Sequence, residues 1–121
     1  IKKLKREFLR KKKKKLSFYQ ERIFLVIYKS YFHPSFKKDI KKLPKNVLLS
    51  ADKITLKIEI DPFCSQKLSG DLSFIFRHKF KVDKVDYRIA YTVDNELKSI
   101  TFIMIKKREK FYEQLKNRVL E

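Results

Sequence analysis

The segment from Tyr87 to Val119 constrains the fold most, because three structural patterns follow one another in it without a gap. Between Tyr87 and Val93, large apolar side chains alternate with charged, polar or small ones, which is the period of a β-strand. After a short polar turn, residues 100–105 are mostly apolar and predict a strand buried on both faces. Two strands joined by so short a turn are expected to pair as an antiparallel hairpin.

A basic segment follows the second strand directly. Four cations lie within five positions: Lys106, Lys107, Arg108 and Lys110. Beyond them, Phe111, Leu115 and Val119 recur every four residues, which predicts a closing helix with one buried face. The hairpin therefore ends in a cluster of positive charge at the point where a helix begins.

The composition limits the class of partner. The 121 residues include 32 Lys and Arg against 14 Asp and Glu, a net charge of +18. Residues 1–22 carry half of that charge, with 11 basic and 2 acidic residues. Such a field attracts nucleic acid, acidic proteins or anionic membranes. We interpret residues 1–22 as a basic N-terminal extension and residues 23–121 as one domain.

Several other classes of protein are disfavoured by the residue counts. The single cysteine, Cys64, cannot form an internal disulfide, which favours a reducing compartment such as the cytoplasm. No apolar run approaches the roughly 20 residues that span a bilayer, so no membrane partner is expected. One Cys and two His supply no metal-ligand cluster, and a single glycine excludes a Gly-rich phosphate loop. We therefore expect neither a metal nor a cofactor.

The N-terminal half of the domain supplies one predicted strand and two predicted helices. Residues 23–30 are almost entirely apolar and predict a strand in the middle of a sheet. Pro34 suits the first turn of a helix, and Pro44 separates that helix from the next. Residues 45–61 match both a helical and an alternating pattern. Because no turn residue interrupts them and good helix formers begin them, we predict one long helix.

Residues 72–82 alternate cleanly between two faces and predict a further strand. One face carries His78 between aromatic residues, and the other carries Arg77, Lys79 and Lys81. The predicted fold is α+β: an antiparallel sheet of about four strands, two N-terminal helices packed on one face and a C-terminal helix. With the helices on one face, the three cations and Arg88 are expected to converge on the other. Gly70, the only glycine, is expected where a backbone angle or a close approach demands it.

The order and the motifs of residues 23–119 resemble the RelE/ParE superfamily of type II toxin–antitoxin toxins. Three motifs carry the resemblance: the Lys67–Asp71 loop, the Tyr87–Tyr91 strand and the ending that begins at Arg108 and reaches Tyr112. The stretch from His78 to Phe80 also resembles a RelE-like subgroup. The resemblance implies a small basic toxin held inactive by a cognate antitoxin. RelE-like members cut messenger RNA, usually on the ribosome, whereas ParE-like members poison DNA gyrase and cut no RNA.

The resemblance to RelE-like members implies a metal-independent endoribonuclease, in which the RNA 2′-hydroxyl attacks the neighbouring phosphorus and cations hold the added charge. Four residues are expected by resemblance to be catalytic: Lys79 as general base, Arg88 at the transition-state charge, Arg108 at the leaving oxygen, and Tyr112 stacking on a base or orienting the 2′-hydroxyl. Four more are expected to bind RNA: Arg77, Lys81, Lys106 and Lys107.

Two other functions remain open at this point. One is a ParE-like toxin that binds gyrase without nuclease activity. The other is a basic RNA- or ribosome-binding module without chemistry, whose affinity would fall steeply with salt. The role of His78 is open too, because its pattern is typical of a packing residue although some relatives use a His–Glu pair. His33 precedes a helix and is expected to cap it or to lie on the surface.

Overall fold

A computed structural model describes residues 27–120 of the protein; the predicted basic extension, residues 1–22, lies outside the described residues. The elements are, in chain order, β1 (Lys29–Phe32), α1 (Pro34–Lys41), α2 (Lys45–Ile60), β2 (Gln66–Lys67), a 3-10 turn (Gly70–Leu72), β3 (Phe76–Val82), β4 (Val85–Asp94), β5 (Ser99–Lys107) and α3 (Phe111–Leu120). The predicted α+β class is confirmed.

The central hairpin forms as predicted. β4 and β5 pair antiparallel, and a turn at residues 95–98 joins them. Across the described sheet the strands stand in the order β1-β5-β4-β3-β2, so that β5 has a neighbour on each side. Phe102, Met104 and Ile105 are buried accordingly, as expected for a strand covered on both faces.

The first strand differs from the prediction in position and direction. β1 begins at Lys29, and residues 23–26 of the predicted strand lie outside the described residues. β1 stands at the edge of the described sheet and runs parallel to β5, so the sheet has five strands and is mixed. Tyr28, directly before β1, does not require a second neighbouring strand, because the end of α2 hydrogen-bonds to it. The Tyr28 N–H donates to the Glu59 carbonyl at 3.1 Å.

The strand predicted over residues 72–82 begins later, at Phe76. Leu72 belongs to the 3-10 turn that Gly70 opens with a φ of 66°. A Cβ at Gly70 would meet nothing within 4 Å, so the left-handed backbone angle alone accounts for the glycine. Within the predicted loop, the two residues of β2 pair with the start of β3 and add an edge strand that the sequence pattern did not indicate.

Both predicted N-terminal helices form. α1 begins at Pro34, and His33 caps it by accepting a hydrogen bond from the Ser35 N–H at 3.1 Å, which is one of the two roles predicted for His33. α2 is one continuous helix, so the helical interpretation of this segment was right. Its buried residues follow helical spacing: Val47, Ala51, Asp52, Thr55, Ile58 and Glu59.

The sheet separates two apolar clusters. α1 and α2 pack on one face, where Phe36 joins a cluster with Phe102. On the other face, Phe111 and Leu115 of α3 form a cluster with Met104. The inner residues of the closing helix are as predicted, but the expectation that all helices share one face is wrong. β5 supplies apolar side chains to both faces of the sheet, so helices must cover each face.

Candidate RNA-binding and catalytic face

A row of cations crosses three strands of the sheet. Arg88 on β4 stands opposite Lys79 on β3 and opposite Lys106 on β5. Cross-strand partners share a face, so the three side chains leave the sheet on the same side. Arg77 lies two residues before Lys79 on the same strand and therefore on the same side. We call Arg77, Lys79, Arg88 and Tyr112 together the basic face.

Tyr112 joins the basic face because α3 packs across this side of the sheet. Phe111 is fully buried and anchors the first turn of the helix, which leaves the next residue, Tyr112, 39% exposed. The guanidinium carbons of Arg77 and Arg88 lie 5.9 and 5.4 Å from the centroid of the Tyr112 ring. Both distances are within the range of cation–π contacts. The ring is therefore held between two cations, with part of its surface open.

The two arginines of the basic face are held largely without counter-charge. Arg77 donates hydrogen bonds to the Tyr112 hydroxyl and to the Gln66 amide oxygen. Arg88 stacks on the Tyr112 ring, and no carboxylate within residues 27–120 pairs with it. The Nε atoms of both arginines are buried without a hydrogen-bond partner in that part of the chain. A partly buried cation that lacks a counter-charge is suited to hold an anion.

Arg108 and Lys81 flank one carboxylate at the margin of the basic face. Asp86 lies 3.9 Å from the Arg108 guanidinium and 3.7 Å from the Lys81 ammonium. The Arg108 N–H also donates to the Asp86 carbonyl at 3.0 Å, which fixes the backbone where β5 ends. The side chains of Arg108 and Lys81 are 64% and 63% exposed, so these ion pairs are weak and the cations can turn toward a ligand.

The two remaining predicted RNA-binding residues, Lys106 and Lys107, leave the sheet on opposite sides. Lys106 belongs to the row with Arg88, but its ammonium is 3.3 Å from Asp39 on α1. Lys107 stands opposite Tyr87, a buried residue that stacks on Phe80 on the other side of the sheet. The structure therefore separates Lys107 from the basic face, and both lysines line a cleft described below.

His78 lies on the opposite side of the sheet from the basic face. It stands opposite the buried Ile89, and its Nδ1 is 2.7 Å from the Ser65 hydroxyl. Burial lowers the pKa of His78, and the charge of Lys57 lowers that pKa further. This geometry supports the packing role for His78 and keeps it away from the proposed chemistry.

Sequence reasoning missed two polar residues that organise the site. Gln66 accepts a hydrogen bond from Arg77, and its short strand β2 gave no pattern to find it by. Asp39 is 5% exposed and accepts hydrogen bonds from Arg118 and from the Ile105 N–H. A signal for Asp39 did exist, since it lies three residues after Phe36 on the inner side of an amphipathic helix. A carboxylate at such a position requires a buried partner.

The basic face combines the groups that phosphate chemistry on RNA needs. Arg88 can bind an anionic oxygen, Lys79 can transfer a proton, and the open part of the Tyr112 ring can stack on a base. Within residues 27–120, no group of three or more His, Cys, Asp or Glu side chains is placed to hold a metal ion.

The sequence matches one protein family over most of its length. Residues 31–116 match the family of ParE-like toxins of type II bacterial toxin–antitoxin systems. The chain belongs to this family, and it is thus a type II toxin of the RelE/ParE superfamily. No curated protein matches the sequence closely.

Solved structures with the same fold include RelE toxins, free or bound to their antitoxins. A doubly substituted RelE of E. coli in the free state has a TM-score of 0.65 at 23% identity, over 78% of this chain and 99% of that one. The RelBE2 toxin–antitoxin complex of Mycobacterium tuberculosis has a TM-score of 0.62 at 21% identity, over 69% and 100%. For the RelE–RelB complex of Pyrococcus horikoshii OT3 the TM-score is 0.52 at 20% identity, over 70% and 99%. At these identities the similarity establishes the RelE-like fold.

One further structural finding concerns the helices. None of the helices within residues 27–120 is both long and apolar enough to cross a lipid bilayer.

Proposed function

We propose that this toxin is a metal-independent endoribonuclease that cuts messenger RNA on the ribosome, in the cytoplasm, and thereby inhibits translation. The observation that carries the proposal is the arrangement of Arg77 and Arg88 against the Tyr112 ring. RNA presents a phosphate close to a flat base, and the basic face offers guanidinium groups close to an aromatic ring.

The proposed reaction needs two proton transfers and no change of oxidation state. The 2′-hydroxyl oxygen forms a bond to the adjacent phosphorus, and the bond from that phosphorus to the 5′-oxygen of the next nucleotide breaks. The products are a 2′,3′-cyclic phosphate and a 5′-hydroxyl end. One proton leaves the 2′-hydroxyl and one reaches the 5′-oxygen, while negative charge develops on the phosphate oxygens.

Arg88 is proposed to stabilise the charge on the phosphate. It stands in the middle of the row, between Lys79 and Lys106, so cations flank its guanidinium on both neighbouring strands. Its only aromatic contact is the Tyr112 ring, and it has no carboxylate partner in the described part of the chain. A donor that is already in position needs no reorganisation when charge develops. Arg77 is proposed to bind the same or the neighbouring phosphate.

One proton transfer is assigned to Lys79, and the leaving 5′-oxygen takes its proton from water. Lys79 is exposed on the neighbouring strand, directly opposite Arg88, and is the proposed general base. Arg108 approaches from the end of β5 and is proposed to stabilise the leaving 5′-oxygen. Lys81 and Lys106 extend the positive surface along the RNA backbone.

Tyr112 is proposed to stack on the base next to the cut. Its ring is fixed by the two arginines and by the buried Phe111, whose ring lies edge-on at 5.6 Å. A ring that is already ordered loses little freedom when a base stacks on it. The Arg77 hydrogen bond also directs the Tyr112 hydroxyl toward the cations, where it can orient the 2′-hydroxyl.

The antitoxin is the second proposed partner. Solved complexes with this fold contain a toxin with its antitoxin, as their names state. We expect a cognate antitoxin of this chain to be acidic wherever it covers the basic face, because electrostatic complementarity governs such contacts. Covering Arg88 and Tyr112 would block RNA directly.

The alternative function is binding of DNA gyrase without nuclease activity. The family match supports this alternative, because the matched family is named for ParE-like toxins. Under this alternative, substitutions on the basic face would change no RNA cleavage, because there would be none to lose. The experiment below separates the two functions.

The decisive experiment is a brief expression of the protein in a bacterium, followed by mapping of messenger RNA 5′ ends. We expect new ends inside translated frames, and their loss in the double variant Lys79→Ala, Arg108→Ala. The matched control is Lys37→Ala, Lys53→Ala, which removes two exposed lysines on α1 and α2. Growth arrest with intact messages and a DNA-damage response would establish the gyrase-binding function instead.

A further inference from the structure

A cleft lies at the edge of the sheet where β1 ends. β1 pairs with β5 only as far as Phe102, so among residues 27–120 no strand lies beside the last residues of β5 on that side. The cleft measures about 450 Å³ and lies between the turn after α1, the end of β5 and the start of α3. Pockets that hold small ligands typically measure about 300–1,000 Å³. The cleft is therefore large enough for one nucleotide.

The open edge of β5 presents one free donor and two acceptors on the side of this cleft. The Ile105 N–H points away from β4 and donates to Asp39 Oδ2 at 3.1 Å, whereas the Arg108 N–H points toward β4 and donates to the Asp86 carbonyl at 3.0 Å. Backbone groups alternate along a strand, so the N–H and C=O of Lys107 point the same way as those of Ile105. With the Ile105 N–H taken by Asp39, the Lys107 N–H and the neighbouring Ile105 C=O form a donor–acceptor pair on this edge, and the Lys107 C=O points the same way.

This pair of backbone groups fits the edge of a nucleobase better than a partner strand. Asp39 occupies one of the two donors that a longer ladder of strand pairing would need, which leaves the Lys107 N–H as the free donor on this stretch. A base, in contrast, presents a donor and an acceptor side by side, and two such hydrogen bonds distinguish one base from another. Leu43 and Pro44 supply apolar surface for the flat sides of the ring.

The charge of the cleft suits the phosphate of a nucleotide. Lys42 and Lys107 line it, and no carboxylate within residues 27–120 pairs with either. Lys106 also lines the cleft, and its ammonium and the Arg118 guanidinium share the single carboxylate of Asp39. Glu109 is the other carboxylate among the lining residues. Two unpaired lysines against one exposed glutamate leave a positive charge for an anion.

We propose that the cleft is a nucleotide subsite, in which the Ile105–Lys107 edge reads the base and Lys42 and Lys107 contact a phosphate. The subsite would hold one nucleotide of the RNA substrate outside the reacting pair, and this assignment rests on the proposed endoribonuclease function. Lys106 connects the two sites, because its backbone pairs with Arg88 and its side chain lines the cleft. The subsite gives the toxin a preference among RNA sequences.

The test is a titration of the full-length, ¹⁵N-labelled protein followed by amide chemical shifts. The ligands are the four nucleoside 5′-monophosphates, with ribose 5-phosphate as a probe that has phosphate but no base. We expect saturable shifts of the Ile105 and Lys107 amides, with one monophosphate binding about tenfold more tightly than ribose 5-phosphate. Equal affinity for all five ligands, or shifts confined to the basic face, would overturn the proposal.

Two matched variants connect the cleft with sequence preference. Gln114 is exposed on α3 and lines the cleft, so Gln114→Trp fills it without touching the core. Glu113 is exposed on the same helix and is not among the lining residues, so Glu113→Trp is the control. We expect only Gln114→Trp to abolish the amide shifts of residues 105–107 and to broaden the range of sequences cut in messenger RNA.

The outcomes distinguish a failure of the subsite from a failure of the nuclease function. Nucleotide binding in the cleft without any RNA cleavage would contradict the proposed function but would still support nucleotide binding at the subsite. RNA cleavage with an unchanged sequence preference in Gln114→Trp would contradict the subsite but would still support the endoribonuclease function. The amide spectrum of each variant shows in the same experiment whether it is folded.

Discussion

The Arg118 guanidinium donates hydrogen bonds to both carboxylate oxygens of Asp39, at 2.7 and 3.3 Å. Asp39 lies on α1 and Arg118 in the last turn of α3, so the pair joins two helices that pack on opposite faces of the sheet. Arg118 also donates to the Ile103 carbonyl at 3.2 Å. The pair thus takes two backbone groups of β5 beyond the end of β1, the Ile103 carbonyl and the Ile105 N–H, and holds α3, with Tyr112 at its start, in place.

The first prediction concerns the stability of this pair. Asp39→Ala removes the partner of a cation whose side chain is only 21% exposed, and it also leaves the buried Ile105 N–H without an acceptor. We expect the free energy of unfolding to fall by about 3 kcal/mol, the lower part of the range for a broken buried ion pair because Arg118 keeps some contact with water. Equilibrium unfolding in urea measures the change.

A matched control exists on the surface. Asp71 and Lys116 form an ion pair at 4.0 Å with side chains that are 76% and 58% exposed. We expect Asp71→Ala to change the free energy of unfolding by less than about 0.5 kcal/mol, because exposed pairs contribute little. Similar losses in the two variants would mean that Asp39 does not hold the helices together.

The second prediction concerns the centre of the basic face. Replacing Arg88 by Ala removes the cation that lies 5.4 Å from the Tyr112 ring centroid and has no carboxylate partner in the described chain. If Arg88 stabilises the transition-state charge, the rate of RNA cleavage should fall about 100-fold or more. Single-turnover cleavage of messenger RNA on purified ribosomes measures this rate.

Two comparisons make the Arg88 result specific. Arg88→Lys keeps the charge but loses the planar donors, so we expect it to recover only part of the rate. Lys53→Ala removes an exposed lysine on α2 and should leave the rate unchanged. A full rate in Arg88→Ala, with the same unfolding midpoint as the parent protein, would exclude Arg88 from the chemistry.

The third prediction separates the ring of Tyr112 from its hydroxyl. Stacking of a base on an aromatic ring contributes about 1–3 kcal/mol, so Tyr112→Ala should weaken RNA binding by roughly tenfold or more. Tyr112→Phe keeps the ring and loses the hydrogen bond from Arg77. We expect Phe to retain the affinity and to lower the cleavage rate, because the 2′-hydroxyl loses an orienting group.

The measurements for Tyr112 are RNA affinity by fluorescence anisotropy and cleavage rate on the same substrate. Because Tyr112 is 39% exposed, neither substitution should shift the unfolding midpoint much. If Ala and Phe behaved alike in both measurements, the ring would contribute nothing to binding and the stacking role would be wrong.

The fold was largely readable from the sequence because its patterns are regular. Alternation identified β4, and spacing by four identified the inner residues of α3. The prediction placed β1 wrongly because an apolar run indicates that side chains are buried but does not indicate which element covers them. β2 was missed because two residues carry no period. Periodicity therefore reports which side chains are buried, but it does not report the neighbour that buries them.

The site was only partly readable for a related reason. Alternation and family resemblance located Arg77, Lys79 and Arg88 on one face, and cross-strand pairing bears that arrangement out. The contacts of Tyr112 and Asp39 depend on α3 packing across the second face of the sheet. That packing joins residues that are far apart in sequence, so no local pattern encodes it.

The final prediction concerns His78 and pH. Burial, and then the charge of Lys57, lower the pKa of His78 in the folded protein, so the unfolded chain takes up a proton there more readily than the folded one. Stability linked to His78 is therefore fully present well above the unfolded pKa of about 6.5 and is lost as the pH falls below it, down to the lowered folded pKa. We expect His78→Asn to lose less stability than the parent protein between neutral pH and about pH 5. Urea unfolding across that range measures this difference. His33→Asn is the control, because it keeps a capping side chain on α1 and should keep the full acid-dependent loss.

His78→Asn should also cut RNA at the parent rate, because His78 lies on the opposite side of the sheet from Arg88. A loss of cleavage in folded His78→Asn would show that the general base is not on the basic face. It would assign a catalytic role to His78.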